Sequence, residues 1–208
     1  MEGKFIVFEG LDGSGKTTQI HHLEQHLRQR GQTVDITAEP TVSALGGIIR
    51  DALCDYTHRS SAEIAALFMA DRVQHNVNPV WGLQRLLSQG HTVLCDRYYY
   101  SSMAYQGALS DWDWVADMNL SCPEIRKPDL CIFLDVDYER SLQRMTEGGR
   151  VYLEIYENRE SLLRTRRSYY RVFEQLKERD RIVIIDASRS VDAVAQEVAA
   201  AVDDLFKE

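Results

Sequence analysis

The chain has 208 residues, of which 44% are hydrophobic, a length at which one domain spanning residues 1–208 can bury a core. Its formal net charge of −8 argues against a nucleic acid polymer as partner, because proteins that bind nucleic acids present a basic surface. No apolar run approaches the roughly 18 residues that a membrane-spanning helix needs, so we expect no membrane contact.

Five short apolar runs alternate with helical stretches along the chain. Most of these runs are continuously apolar, as in strands that are covered on both faces. The alternation predicts right-handed crossover connections, and therefore an α/β fold with a five-stranded parallel sheet and helices on both faces. The predicted strands are Phe5–Phe8, Thr33–Thr37, Thr92–Cys95, Leu130–Leu134 and Ile182–Ile185.

The first run leads into a glycine-rich loop with the spacing Gly, four residues, Gly, Lys, Thr, followed by helical spacing from Thr18 to Arg30. Glycines let the backbone approach a phosphate closely, and the loop amides together with the helix N-terminus form a positive cradle. This order of strand, loop and helix predicts a three-layer P-loop NTPase fold and a site for ATP. The predicted ATP-binding residues are Gly10, Leu11, Asp12, Gly13, Ser14, Gly15, Lys16 and Thr17.

Lys16 and Thr17 have predicted roles within this loop. We expect the Lys16 ammonium to lie on the β- and γ-phosphates, and the Thr17 hydroxyl to bind Mg²⁺. Because ligands in such folds bind at the carboxyl ends of the strands, the residues that follow each run are site candidates. Asp96 ends the third run, and its carboxylate is a candidate for ordering the water shell of the magnesium ion.

Three helix starts can also be predicted from capping patterns. Ser60 and Glu63 have the spacing of a capping box. Asn78 and Pro79 resemble an N-cap followed by a first-turn proline, for a helix that ends at Gly90. Ser190 is the predicted cap of a last helix from Val191 to Phe206.

The segment around residues 144–158 interrupts the pattern of strands and helices. It contains two adjacent glycines and mixed polarity, which favours a mobile flap rather than core. Arginines are dense beyond it, and two interpretations remain open: a solvated helix face, or a flap that carries an arginine onto a triphosphate.

The four cysteines are scattered, without a Cys-x-x-Cys pair, and Cys95 and Cys131 lie in apolar runs. The first residues lead straight into the first predicted strand, so no signal peptide is expected. Together these features predict a cytoplasmic protein with reduced thiols.

The stretch from Asp96 to Gly107 resembles the thymidylate kinases, P-loop nucleoside monophosphate kinases that phosphorylate dTMP to dTDP for dTTP biosynthesis. The resemblance runs nearly end to end. Besides the glycine-rich loop, it includes the Glu39-Pro40 turn, Leu67–Arg72, Lys127–Leu130 and Tyr156–Asn158.

This resemblance implies a set of residues that bind dTMP. An aromatic ring stacks on the thymine, two polar side chains bind the base edge, and a tyrosine lies against the deoxyribose. Two arginines grip the acceptor phosphate, since a forked guanidinium suits phosphate oxygens. The stacking ring is Phe68, the base edge is bound by Arg72 and Gln106 with Ser102 nearby, and the tyrosine at the deoxyribose is Tyr105. The two arginines are Arg50 and Arg97, with Ser101 in the same group.

The resemblance also implies Mg²⁺ as cofactor, ATP as donor, a homodimer, and five catalytic residues: Lys16, Asp12, Arg97, Asp96 and Arg150. Asp12 is expected near the sugar 3′-hydroxyl and the acceptor phosphate. Eukaryotic members often carry a catalytic arginine where this chain has Gly13, and many bacterial members have arginine at the position of Ala38. The missing charge is therefore assigned to the flap, with Arg150 first and Arg144 second.

Two other functions remain open at this stage. One is a P-loop kinase that acts on a deoxynucleoside or on a different monophosphate. The other is a kinase-like fold that binds nucleotide without turnover. A GTPase is disfavoured, because the sequence has no Asn-Lys-x-Asp tetrapeptide for guanine.

Overall fold

The structure, a computed structural model, describes residues 2–54, 56–147 and 159–207. Five strands form one all-parallel sheet in the order β2-β3-β1-β4-β5, which confirms the predicted sheet. The strands are β1 (Phe5–Gly10), β2 (Val34–Ala38), β3 (Thr92–Asp96), β4 (Leu130–Asp135) and β5 (Ile182–Asp186).

Each strand extends one or two residues beyond its predicted carboxyl end. The added residues are mostly polar, but their backbones continue the pairing: Asp96 is in register with Phe8 and with Ala38, and Asp135 with Asp186. Backbone N–H and C=O groups form strand hydrogen bonds whatever side chain the residue has. A strand can therefore continue through polar residues, beyond the end of the apolar run that predicts it. Polar side chains are thereby held rigidly at the carboxyl edge of the sheet.

Helices cover both faces of this sheet, as predicted. On one face, α1 and α9 pack on alternate strand residues such as Ile6 and Phe8. On the other face, most of the remaining helices pack on Phe5, Val7 and their neighbours. The described helices are α1 (Lys16–Gln29), α2 (Ala44–Leu53), α3 (Ser61–Val77), α4 (Leu83–Ser88), α5 (Tyr99–Tyr105), α6 (Trp112–Leu120), α7 (Tyr138–Glu147), α8 (Arg159–Leu176) and α9 (Val191–Leu205).

Two of the three predicted helix starts are confirmed. Ser60 and Glu63 form the capping box of α3, and the Ser190 side chain accepts a hydrogen bond at the start of α9. The prediction for Asn78 is wrong. Asn78 ends α3, its side chain accepts hydrogen bonds from the next turn, and α4 starts only after Gly82. Asparagine favours both helix caps and tight turns, so the sequence did not separate the two.

The first residues of the predicted flap at 144–158 belong to a described helix rather than to an irregular segment. Helix α7 continues to Glu147, so residues 144–147 are helical. Residues 148–158, which include Arg150, lie outside the described residues. Among the helices that the structure describes, none combines the length and apolar character needed to cross a membrane.

Candidate active site

A cavity of about 890 Å³ opens at the carboxyl ends of β1, β2 and β3. The P-loop lines one part of it, and residues from α2, α3 and α5 line another. The predicted site residues in its wall are Asp12, Gly13, Ser14, Gly15, Lys16, Thr17, Arg50, Phe68, Arg72, Asp96, Arg97, Ser101, Tyr105 and Gln106.

Three predicted site residues lie just behind this wall. Gly10 ends β1, and the Leu11 side chain packs in a small apolar cluster with Met145 and Leu162. Ser102 accepts a hydrogen bond from Arg72, which does reach the cavity. These residues lie behind the loop and behind Arg72 rather than forming the cavity surface.

The P-loop has a backbone that requires glycine. Gly13 and Gly15 have φ angles of 76° and 96°, in the left-handed region. A Cβ on Gly13 would lie 2.5 Å from the Ser141 carbonyl oxygen at the start of α7. An arginine at this position would therefore displace α7, which gives a structural reason for the absence of a loop arginine. Gly15 precedes Lys16, so α1 begins with its amides at the cavity.

Lys16 is buried at the base of the loop. Its Nζ lies 3.4 Å from the carbonyl oxygens of Gly10 and Leu11, and 3.8 Å from Asp96 Oδ1. Burial, and next the charge of Arg97, lower the pKa of Lys16 against the opposing effect of nearby carboxylates. These contacts are long for an ammonium group, so a phosphate in the cavity would form stronger ones.

Thr17 and Asp96 fit the magnesium site that was predicted for them. Both line the cavity, and Asp96 Oδ1 is buried without accepting a hydrogen bond from the described residues. No cluster of three or more His, Cys, Asp or Glu side chains suited to a metal occurs among those residues. Mg²⁺ at nucleotide sites is typically held by one or two protein oxygens together with phosphates, so this sparse donor set is compatible with it.

Arg97 connects the P-loop with the opposite part of the cavity. Its Nη2 donates to Asp12 Oδ1 at 2.9 Å, and its Nη1 donates to Ser101 Oγ at 3.2 Å and Tyr169 OH at 3.1 Å. The guanidinium carbon lies 5.2 Å from the centre of the Tyr105 ring. Arg97 has a φ of 71°, which is unusual for a residue other than glycine and typical of functional positions.

Arg72 is fully buried and belongs to a network of charged and polar groups. Its Nε donates to Glu39 Oε2 at 2.8 Å, and Nη1 and Nη2 donate to Asn119 and Ser102. The other oxygen of Glu39 lies 2.9 Å from Nδ1 of His75. A buried guanidinium with this many partners has a fixed orientation, as base recognition requires.

Arg50 is exposed and is held at the cavity by the loop before α2. Its Nη1 donates to the Thr41 carbonyl oxygen at 2.7 Å. The Asp71 carboxylate, itself buried, accepts from the Thr41 amide and hydroxyl and from the Ser43 hydroxyl. These hydrogen bonds fix the loop to α3, and the loop in turn holds the Arg50 guanidinium beside the cavity.

Sequence reasoning missed several residues of the site. Because ligands in such folds bind at the carboxyl ends of the strands, the residues after β5 were site candidates, but no role was predicted for them. In the structure, Ala187, Arg189, Val191 and Val194 line the cavity. Arg144, the second flap candidate, donates to the carbonyl oxygens of Ser14 at 3.3 Å and Ala187 at 3.0 Å. Glu9 directly follows the first predicted strand, Phe5–Phe8, and no role was predicted for its buried carboxylate.

Comparison with known proteins gives a consistent result. A family model described as thymidylate kinase matches residues 8–198. The chain is 37% identical to a probable thymidylate kinase of Pyrococcus horikoshii over 97% of each chain. It is 36% identical to a thymidylate kinase of Caldicellulosiruptor saccharolyticus over 100% of this chain and 99% of the relative. The solved structure of Candida albicans thymidylate kinase superposes with a TM-score of 0.83 at 25% identity, covering 98% of this chain and 92% of the other.

Proposed function

Because this chain belongs to the thymidylate kinase family, we propose that the cavity at the carboxyl ends of β1, β2 and β3 is where it phosphorylates dTMP to dTDP. The chain is an ATP:dTMP phosphotransferase, and ATP is its phosphoryl donor. The observation that carries the assignment of the site is the composition of this one cavity. It joins a P-loop to an aromatic ring, a fixed guanidinium and a glutamine suited to a base.

In the proposed complex, the triphosphate lies on the P-loop amides and on Lys16. Thr17 and Asp96 hold Mg²⁺, partly through water, and the ion neutralises charge on the phosphates when it is bound. The buried position of Lys16 strengthens its attraction for phosphate oxygens, because few water molecules compete there. The P-loop residues 10–17 thus supply both the cradle and the charge.

The proposed dTMP site lies across the cavity from the loop. Phe68 is 91% buried yet lines the cavity, so one part of its ring is available for stacking on thymine. Arg72 and Gln106 bind the base edge, with Ser102 fixing Arg72 from behind. Tyr105 lies against the deoxyribose.

The acceptor phosphate lies between Arg50, Arg97 and Ser101 in this proposal, and Asp12 approaches the sugar 3′-hydroxyl. The second pKa of a phosphate monoester is about 6, so the acceptor is mostly dianionic at pH 7 and no strong general base is needed. The chemical difficulty is the approach of two anions. Arg97 and Lys16 supply positive charge, and Asp12 keeps the Arg97 guanidinium turned toward the P-loop.

We further propose that Arg150 supplies positive charge to the transferred phosphoryl group, with Arg144 as the second candidate. Gly13 leaves no room for a loop arginine, which supports a donor from elsewhere. By analogy with the family, the enzyme is proposed to be a cytoplasmic homodimer. Light scattering coupled to gel filtration tests the dimer directly.

Steady-state release of ADP tests the proposed function. The assay contains ATP, Mg²⁺ and one acceptor from the set dTMP, dUMP, UMP, dCMP and thymidine. We expect kcat/KM for dTMP to exceed that for UMP and for thymidine by at least ~10²-fold. Thymidine lacks the phosphate that Arg50 and Arg97 are proposed to bind, and UMP adds a 2′-hydroxyl where Tyr105 is proposed to lie against the sugar and lacks the thymine methyl group. Equal rates with thymidine would instead support a deoxynucleoside kinase. The Candida albicans enzyme is described as having broad substrate specificity, so the whole panel is informative.

A further inference from the structure

Glu9 is a fully buried carboxylate directly before the P-loop, and it does not itself line the cavity. It accepts four hydrogen bonds. Oε1 accepts from the amides of Tyr98 at 2.8 Å and Ser101 at 3.3 Å. Oε2 accepts from the hydroxyls of Ser101 at 2.7 Å and Tyr169 at 2.8 Å. A carboxylate has about four acceptor positions, so all of them are in use.

The same two hydroxyls contact Arg97. Nη1 of Arg97 donates to Ser101 Oγ and to Tyr169 OH. Because a guanidinium only donates, each hydroxyl accepts from Arg97 and can direct its own proton to Glu9. The two hydroxyl oxygens also lie 2.8 Å from each other, so they form one cluster between Glu9 and Arg97. The result is a relay in which the carboxylate orients two hydroxyls and the hydroxyls orient the guanidinium.

Glu9 also holds the backbone beside Arg97. The Tyr98 amide, which donates to Glu9, belongs to the peptide bond that follows Arg97. On the other side, the Arg97 amide donates to the Phe8 carbonyl oxygen at 2.9 Å. Residues 8 and 9 of β1 therefore clamp both peptide bonds around the left-handed φ of 71°. Such a conformation persists only where its surroundings determine it.

We propose that Glu9 is a positioning residue for the acceptor phosphate, acting through Ser101, Tyr169 and the backbone to fix the Arg97 guanidinium. The inference rests on the proposed role of Arg97 in the reaction. The relay requires an ionised Glu9. A protonated carboxyl group would carry its own O–H, and this proton would face one of the four groups that donate hydrogen bonds to Glu9. Burial raises the pKa of Glu9, and the charge of Arg97 together with hydrogen bonds from Ser101, Tyr169 and Tyr98 opposes that rise.

The first test is Glu9→Gln. The amide nitrogen of glutamine cannot accept a hydrogen bond, so two of the four are lost in either orientation. Misplacement of a positioning group by about 1 Å can cost ~10²-fold in rate. We expect kcat/KM for dTMP to fall by ~10- to 100-fold, while KM for ATP stays within about threefold of wild type. Tyr169→Phe removes one hydroxyl of the same relay and keeps the ring, and we expect a smaller fall of the same kind.

Asp180→Asn is the matched control. Asp180 is the buried carboxylate of another part of the core, and its Oδ2 accepts from the hydroxyls of Tyr99 at 2.6 Å and Tyr100 at 2.9 Å. It is thus bonded to the same helix, α5, but does not line the cavity. We expect this variant to lower the melting temperature while leaving kcat/KM for dTMP unchanged.

A double-mutant cycle with Arg97→Ala decides whether Glu9 acts through Arg97. We expect Arg97→Ala to lose ~10²-fold or more in kcat/KM for dTMP, and Glu9→Gln to add less than about threefold in that background. Three results would overturn the role of Glu9 while leaving the proposed function intact. They are additive losses in the double mutant, an unchanged rate in both Glu9→Gln and Tyr169→Phe, and an equal rise in the KM values of ATP and dTMP. A near-wild-type rate in Arg97→Ala would overturn the proposed role of Arg97 and the inference with it.

Discussion

Glu39 and Arg72 form an ion pair with 2.6 Å between Oε2 and Nη2, and each side chain is only 1% exposed. The pair joins the end of β2 to α3 and fixes the guanidinium that is proposed to bind the base. A buried charge of this kind depends on its partner, because water cannot replace the lost interaction.

Glu39→Gln is therefore expected to lower the free energy of unfolding by about 3 kcal/mol, since it leaves the Arg72 charge without a counter-ion. Urea denaturation at pH 7 measures the change. Glu160→Gln, which removes one partner of an exposed pair with Arg164, should change it by less than about 1 kcal/mol. Equal effects of the two substitutions would show that burial does not govern the Glu39 pair.

Lys16→Met is expected to change activity and stability in opposite directions. Loss of the ammonium removes charge from the phosphates, and kcat should fall by ~10²- to 10³-fold. Burial and the charge of Arg97 lower the pKa of Lys16. The charged form of Lys16 is therefore less favourable in the folded protein than in the unfolded chain, and it lowers the free energy of unfolding at pH values where Lys16 is protonated in the unfolded chain. The variant should then be more stable than wild type at pH 7, with a gain that shrinks as the pH rises toward 10.5.

Thermal unfolding at several pH values, combined with the ADP assay, checks both parts of the Lys16 prediction. Lys207→Met is the control, because Lys207 is exposed and, among the described residues, forms an ion pair with Asp204 near the end of α9. It should leave kcat unchanged. A Lys16→Met protein that is less stable than wild type at pH 7 would contradict the prediction.

Asp135→Asn is expected to reduce stability in a way that depends on pH. Burial raises the pKa of Asp135, but hydrogen bonds from Arg166 and Tyr170 outweigh it and hold the pKa below its usual value of 3.8. A carboxylate with a lowered pKa stabilises the fold above 3.8 and loses that contribution as the pH falls through the folded value. Arg166 is 37% exposed, so solvent screens the pair and we expect a loss of only about 1 kcal/mol at pH 7.

Urea denaturation between pH 7 and about pH 2 measures the difference in free energy of unfolding between Asp135→Asn and wild type, which should narrow below pH 3.8. The exposed Glu178 offers a control as Glu178→Gln. A difference that stays constant over the whole pH range would show that the ionised form of Asp135 is not what stabilises the pair.

Arg150→Ala is expected to lower kcat by ~10²-fold or more with little change in KM, if this arginine acts in the transition state. Steady-state ADP release with ATP, Mg²⁺ and dTMP measures both constants. Arg164→Ala serves as control, because Arg164 pairs with Glu160 on the exposed face of α8. If Arg150→Ala is near wild type, the assignment of Arg150 fails and Arg144→Ala is measured next.

Most of the fold could be predicted from the sequence, because strands, capping boxes and the P-loop depend on residues that are close together in the chain. Gly10 to Thr17 is the clearest case: eight consecutive residues define a strand end, a phosphate cradle and a helix start. Asn78 is the exception, since the same side chain suits a cap and a turn.

The position of a residue in the cavity wall was predictable where the residue follows a strand or belongs to a family motif, as Asp96, Arg97 and Phe68 do. The hydrogen-bonding partners that hold the site side chains in place could not be predicted from the sequence. Arg72 lies 33 residues from Glu39, and Tyr169 lies 160 residues from the carboxylate that it shares with Ser101. No spacing rule connects positions so far apart.

The sequence by itself therefore determined the class of fold, the phosphate-binding loop and the family. Only the tertiary structure decided how the guanidiniums are held. The order of the strands sets β1 between β3 and β4, and this places Glu9 beneath the start of α5 and beside α8. Among the described residues, its carboxylate accepts hydrogen bonds from Tyr98, Ser101 and Tyr169, and the hydroxyls of the last two also contact Arg97. Its burial depends on how the whole chain packs.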